Sequence, residues 1–284
     1  MKKRILYFMP DNPSARKAGN LTRCTQMLNY LESLSDIYEV DFLSIGDWEK
    51  EDWITENKRK FTTEHPNVKL HLINRKGSKT NKIKQFFEYK LLNLFPKLIK
   101  GTSVDITNPM LNKKVSNFID KGNYDKVIIS YASWAKVVSN IKTKPYLIVD
   151  THDFITAQSR DKIGKIGKLF QSEVNILKKF DEIWTYSVEE EYIFEQFTDK
   201  KVTLIPISFP FHPTEYKENY KYELIFVGSQ NPHNIAGLQW FAKEVQPFLG
   251  EIKVHILGRI CSVIPDYPNF VKHGMVDDIE EFYQ

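Results

Sequence analysis

The chain alternates short apolar runs, rich in β-branched and aromatic residues, with longer stretches in which apolar positions recur at helical spacing. A strand covered by helices on both faces must be apolar on both, so short continuous runs separated by amphipathic ones predict an α/β fold with parallel sheets. The expected strands are Ile5 to Met9, Val40 to Ser44, Val68 to Ile73, Val127 to Ser130, Tyr146 to Asp150, Glu182 to Tyr186 and Val202 to Ile205. Together they would build one doubly wound sheet. After the first strand, Leu21, Cys24, Leu28 and Leu31 share a helical face behind Asn20, a competent N-cap. Ser187 and Glu190 predict a capping box at the start of a helix over Val188 to Phe197.

The segment Pro206 to Tyr222 holds prolines, aromatics and polar residues without sustained period and reads as a linker. A second α/β unit follows. Leu224 to Val227 is a strand, and Asn231 and Pro232 open a helix with Ile235, Leu238, Phe241, Val245 and Phe248 on one face. Strands at Val254 to Leu257 and Phe270 to Lys272 come next, then a helix over Asp277 to Tyr283 with Asp277 and Glu280 in a capping box. The organisation expected is an N-terminal domain over residues 1–206, a linker over 207–222 and a C-terminal domain over 223–284. The last of these, at about 60 residues, is small for a stable α/β layer and suggests an incomplete domain.

Forty basic against 36 acidic residues leave a net charge of +4, too mild to argue for nucleic acid as a partner. Cys24 and Cys261 show neither metal nor redox spacing, which fits a reduced, cytoplasmic setting. The N-terminal apolar run is shorter than a signal peptide or membrane span requires and reads as a core strand. One segment is locally basic: Arg75 to Lys100 carries eight basic residues and one acidic, interleaved with Phe86, Phe87, Leu91 and Leu94. That pattern suits a helix packed on the core with a solvated outer face, or one lying at the inner face of an anionic membrane.

Three places offer chemistry. Gly228 and Ser229 lie between a strand and the Asn231 helix start, where backbone amides and the helix dipole can hold phosphate; the plain alternative is a βα turn. Arg259, after Gly258 at the end of the next strand, could grip a phosphate in bidentate fashion or simply be a solvated charge. Asp150, His152 and Asp153 emerge at the end of an apolar strand, where a histidine can donate to a hydroxyl with a carboxylate fixing its tautomer. The loop Pro10 to Asn20, ending in Gly19 and Asn20 at a helix start, suits approach to a phosphate or an acceptor hydroxyl.

The stretches ELIFVGSQNPHNIAGLQWFAKEVQPFL, KVHILGR and FVKHGMVDDIEEFY resemble, in order and spacing, the first half of the donor domain of glycosyltransferase family 4. The Gly19–Asn20 loop and VDTHDF are similar to features of that family's N-terminal domain. The resemblance implies a GT-B-like fold of two Rossmann-like domains with parallel sheets, the second incomplete. It implies transfer, with retention and without metal or other cofactor, from a nucleotide diphosphate sugar such as a UDP- or GDP-sugar. The acceptor would be a glycan, lipid-linked or protein hydroxyl in bacterial surface polysaccharide or glycoconjugate assembly. Donor binding would fall to Gly19, Asn20, Gly228, Ser229, Asn231, His233, Asn234, Arg259, Gly274 and Met275, with the backbone of Met275 along the nucleotide base, and catalysis to His152, Asp153 and Asp150. His233 and Asn234 stand where many relatives carry Arg and Lys. The family's acidic motif, a pair of glutamates contacting donor sugar and ribose, has no counterpart up to Gln284, so a non-catalytic GT-B-like partner subunit is the alternative. A dinucleotide oxidoreductase is weaker, since Pro10, Asp11, Asn12 and Pro13 occupy the turn where its Gly-rich fingerprint belongs.

Overall fold

The computed structural model describes residues 2–15, 19–49, 52–76, 86–91, 102–159, 164–207, 221–276 and 278–283. The chain divides into two compact units, Met1–Phe209 and Pro210–Gln284. The strands of the first are β1 (Lys3–Phe8), β2 (Tyr38–Ile45), β3 (Val68–Ile73), β4 (Lys126–Ser130), β5 (Tyr146–Asp150), β6 (Glu182–Thr185) and β7 (Lys201–Leu204). They form one sheet in the order β3-β2-β1-β4-β5-β6-β7, every neighbouring pair parallel. Among the described residues the helices are α1 (Gly19–Ser33), α2 (Thr55–Glu64), α3 (Pro109–Gly122), α4 (Ile155–Gln158), α5 (Ile166–Leu177) and α6 (Val188–Thr198), with a π-helical segment at Phe86–Leu91 and a 3-10 segment at Ala132–Val138.

β1 shows why the strands read as unbroken apolar runs. Ile5, Tyr7 and Met9 pack with Leu21, Cys24, Leu28 and Leu31 of α1, while Leu6 and Phe8 pack on the other face with Leu111, Val115 and Ile119 of α3. The strand order reverses between β1 and β4, and the crevice beyond the carboxyl ends of strands at such a point is where open α/β sheets bind ligands.

Two caps differ from expectation. Asn20 is not the cap of α1 but lies inside its first turn, where its side chain hydrogen-bonds the Tyr131 hydroxyl. At α6, Ser187 does accept the Glu190 N–H at 3.2 Å, but the Glu190 carboxylate takes the N–H groups of Phe154 (3.0 Å) and Tyr186 (3.4 Å) and so ties the α4 entry to the β6 exit.

The second unit is a three-stranded parallel sheet, β8 (Leu224–Val227), β9 (Val254–Leu257) and β10 (Phe270–Gly274) in the order β10-β9-β8, with helices α7 (Pro232–Glu244) and α8 (Glu280–Tyr283). Asn231 caps α7 by accepting the Asn234 N–H at 2.7 Å, with Pro232 in the first turn. Leu238 buries against the sheet face formed by Val254 and Ile256, with Ile235 and Phe241 packed beside it. The face assigned from spacing fails at its end. The helix stops at Glu244 before Pro247, so Phe248 falls in a 3-10 turn and is 86% exposed. On the other sheet face His255 Nδ1 and His273 Nε2 lie 2.8 Å apart, flanked by Tyr222 and Phe282.

Asp277, most of the linker and most of Arg75 to Lys100 lie outside the described residues; within the basic segment, Phe86, Phe87 and Leu91 are exposed. No described helix is long and apolar enough to cross a membrane.

Strands β1 and β2 are also locked by a buried carboxylate. Asp41 accepts from Arg4 Nη2 at 2.7 Å and from the Tyr124 hydroxyl at 2.6 Å, with His71 Nε2 3.2 Å from its other oxygen. Burial would raise this carboxyl, but the hydrogen bonds of His71 and Tyr124 and the charges of His71 and Arg4 outweigh it and hold it below the usual range. Asp41→Asn should therefore cost about 2 kcal/mol in denaturant titrations at neutral pH. Because the folded-state value is depressed, the contribution is full above the unfolded carboxylate value and is lost as pH falls through the folded one, so the deficit should shrink in acid.

Candidate functional site

In the first unit the strand ends β1, β4, β5 and β6 deliver polar groups to the carboxyl edge of the sheet. Asp150, last residue of β5, is fully buried. Arg23 reaches it from α1, its Nε 3.6 Å from Asp150 Oδ2, within ion-pair range but beyond hydrogen-bond length. His152 Nε2 lies 3.7 Å from the same oxygen, and its Nδ1 lies 3.0 Å from the Tyr186 hydroxyl. The Arg23 guanidinium stacks over the Tyr186 ring at 5.0 Å.

The backbone here is strained. Tyr131 and His152 both follow strand ends at positive φ, 69° and 62°, a region non-glycine residues seldom enter. Their rings stack on each other at 4.1 Å between centroids. The Tyr131 N–H donates to the Asp150 carbonyl at 2.8 Å, so the two turns are fastened together at the backbone as well.

Burial sets the charges. It pushes the Asp150 carboxyl up to about 6, against the pull of Arg23. Burial, then Arg23, brings His152 down to about 3, so the ring is neutral at physiological pH. His152 is thus not presented on an open surface: its ring is buried beneath Tyr131, with Nε2 unpartnered toward Asp150. Asp153 stands apart from this pair, accepting from Gln158 Nε2 at 2.8 Å, with its carboxyl raised by burial.

The loop after β1 is anchored rather than loose over its first half. Asn12 is buried, its N–H donating to Asp52 Oδ2 at 3.0 Å and its side-chain amide to the Asp52 carbonyl at 2.6 Å. Ser44 Oγ donates to the Pro10 carbonyl and accepts from Trp53 Nε1. The chain re-enters at Gly19, where a Cβ would meet only open space, and Asn20.

Sequence reasoning missed Arg23, Tyr131 and Tyr186. A signal for each exists: Tyr131 and Tyr186 directly follow apolar strands, and Arg23 falls beside Cys24 on the buried stripe of α1.

In the second unit Gly228, Gly258 and Gly274 stand in a row at the carboxyl ends of β8, β9 and β10. Gly228 N–H donates to the Leu257 carbonyl, Gly258 N–H to the Gly274 carbonyl, and Ile260 N–H to the Gly228 carbonyl. A Cβ on Gly258 would collide with the Gly228 carbonyl oxygen. Asn234 closes the turn by donating to the carbonyl and hydroxyl oxygens of Ser229, and Asn231 serves as the helix cap, while His233 is exposed at the helix start. An open cleft of about 480 Å³ beside this row is lined by Gly258, Arg259, Lys272, His273, Gly274 and Met275 among others. Arg259 is exposed, and among the described residues no carboxylate pairs with it. Lys272 is committed, donating to the Ile264 carbonyl and to Asp266. The N–H groups of Gly228, Gly258 and Gly274 are thus engaged within the unit, and the group the cleft leaves available for an anion is the Arg259 guanidinium.

No protein-family model matches the chain, and no curated protein sequence matches it. Solved structures do resemble it. Sucrose-phosphate synthase from Thermosynechococcus elongatus aligns over 99% of this chain and 72% of its own, with TM-score 0.65 and 14% identity. HepE from Anabaena, solved with UDP-glucose, aligns over 98% and 70%, with TM-score 0.55 and 12% identity. A glycosyltransferase from Rickettsia africae aligns over 99% and 70%, with TM-score 0.54 and 13% identity.

The fold is that of the GT-B glycosyltransferases. Each of the two clusters lies at the carboxyl edge of the parallel strands of its own sheet.

The glycine row makes a comparative prediction. Gly258 has φ 100° and no room for a Cβ, whereas Gly274 has φ 73° and open space around it. Gly274→Ala should cost about 1 kcal/mol from backbone conformation alone. Gly258→Ala should cost about 3 kcal/mol, since the collision adds to the strain, and thermal unfolding of the two variants should rank them in that order.

Proposed function

We propose that the protein transfers a sugar from a nucleotide diphosphate sugar to a hydroxyl acceptor, as a retaining, metal-independent glycosyltransferase of the family 4 type. The observation that carries this reading is the Gly228–Gly258–Gly274 row with Arg259 beside it, at the carboxyl edge of the second sheet. Breaking the glycosidic bond leaves negative charge growing on the diphosphate. The start of α7 and the Arg259 guanidinium can meet that charge without a metal, with the glycine row keeping side chains out of the way of a close approach. In this assignment Ser229, Asn231, His233 and Asn234 shape the phosphate end of the cleft, and the Gly274–Met275 turn lines the nucleotide base.

The first unit would then hold the acceptor. Gly19 and Asn20, at the start of α1, keep the donor-binding role the resemblance implies, and the Asp150, His152 and Asp153 turn would provide hydrogen-bonding groups for a sugar hydroxyl. That HepE was solved with UDP-glucose supports a UDP-sugar as the donor to try first. A glycan or lipid-linked acceptor in bacterial surface glycoconjugate assembly, at the cytoplasmic face of a membrane, fits the basic and aromatic composition of Arg75 to Lys100.

The burial of His152 favours one competing reading, a GT-B-like subunit that binds without catalysing. Thermal-shift titration with UDP, GDP, ADP and their sugars separates the two when followed by a transfer assay. The expected outcome is selective stabilisation by one nucleotide in the presence of EDTA, abolished in Gly228→Trp and weakened about tenfold or more in Arg259→Ala. Transfer by the stabilised protein supports the enzyme, whereas nucleotide binding with no transfer to any acceptor supports the binding subunit.

A further inference from the structure

We propose that Arg23 is a positioning residue of the transferase: from the first turns of α1 it holds Tyr186, whose hydroxyl meets the ring of His152, and faces the Asp150 oxygen toward which that ring is turned. This rests on the reading of Asp150 and His152 as catalytic. Three observations carry it. Arg23 Nε and His152 Nε2 converge on one oxygen, Asp150 Oδ2, at 3.6 and 3.7 Å. The same guanidinium lies over the ring of Tyr186, whose hydroxyl is 3.0 Å from His152 Nδ1. Arg23, Asp150 and His152 are all buried, so little solvent is available to substitute for any of them.

A buried guanidinium that faces its carboxylate at 3.6 Å gains little net stability from that pair, because desolvation offsets the attraction. Arg23 Nε and Nη2 and both Asp150 oxygens lack hydrogen-bond partners. That arrangement serves orientation better than it serves stability. The His152 ring is fixed from both sides by α1. Asn20, three residues before Arg23, hydrogen-bonds the hydroxyl of Tyr131, and the Tyr131 ring stacks on His152. Residues three apart share a helix face, so a ligand that engages the Gly19–Asn20 turn acts on the same helical turn that positions His152. Other ionisable groups around the carboxylate are Tyr7 of β1 and Cys24 of α1, both held neutral by burial.

The test uses the whole chain and two readouts: steady-state transfer with the nucleotide sugar that stabilises the protein, and the ring resonances of His152 assigned by comparison with His152→Ala. Arg23→Met keeps the length and removes the charge. It should lower kcat by about tenfold or more while leaving the donor KM within about twofold, because the donor cleft is in the other unit. It should also shift the His152 resonances and their pH response as Asp150 loses its partner. Arg23→Lys keeps the charge without the planar fork and should fall between wild type and Arg23→Met in both readouts. Unchanged His152 resonances in folded Arg23→Met overturn the proposal. Should Arg23→Met fail to fold, Arg23→Lys decides alone, displaced resonances supporting the proposal and unchanged ones overturning it. Wild-type transfer by His152→Ala would instead remove the catalytic reading, a failure separate from that of the ring geometry.

Discussion

In an all-parallel sheet each strand is reached by a crossover, so every strand finishes on the same edge. The larger sheet obeys this through seven strands, and the polar groups that cannot be buried within strands are delivered to that one edge. The loop after β1, Tyr131 after β4, Asp150 and His152 at β5 and Tyr186 after β6 come together because the sheet leaves them nowhere else to go. The smaller sheet repeats the constraint with three strands and glycine backbone in place of side chains. The two edges differ in kind: one concentrates ionisable groups away from water, the other pairs glycine backbone across its strand ends beside an open cleft.

The first edge is held in an uncomfortable state. Two aromatic residues sit in left-handed backbone conformations, and an arginine and an aspartate face each other at a separation too long for a good hydrogen bond. Strain of this kind persists only where surrounding structure over-determines it. Here the surrounding structure is the double-sided core, with helices on both faces of β1, β4 and β5. Packing free energy from that core sustains the unfavourable geometry at its rim.

The strands were legible because burial on both faces demands a composition that little else in a sequence imitates; β3, β5, β8 and β9 begin and end where their apolar runs do. The buried face of α1 was legible for the same reason, through Leu21, Cys24, Leu28 and Leu31. Caps were less so, since a capping side chain chooses among several nearby partners: Asn20 found Tyr131 and Glu190 found Phe154. Phe248 was misplaced because the helical spacing was followed past Pro247, the residue that stops the helix. The polar cluster was half visible. Asp150 and His152 stood out after an apolar strand, whereas Arg23 looked like any helical arginine until its partners, more than a hundred positions along the chain, were in place.

Those separations bear on how the protein is made. Arg23 is translated early, Asp150 much later and Tyr186 later still, and β1 cannot gain its central neighbour until β4 has been synthesised. During elongation the nascent chain therefore carries a cationic helix turn without its carboxylate and a central strand, β1, that only β2 can pair, with its other edge open, a state with exposed apolar surface. The contacts of Arg23 with Asp150 and Tyr186 thus become available only once β6 has been made, so the polar cluster of the first unit is acquired late in the synthesis of that unit.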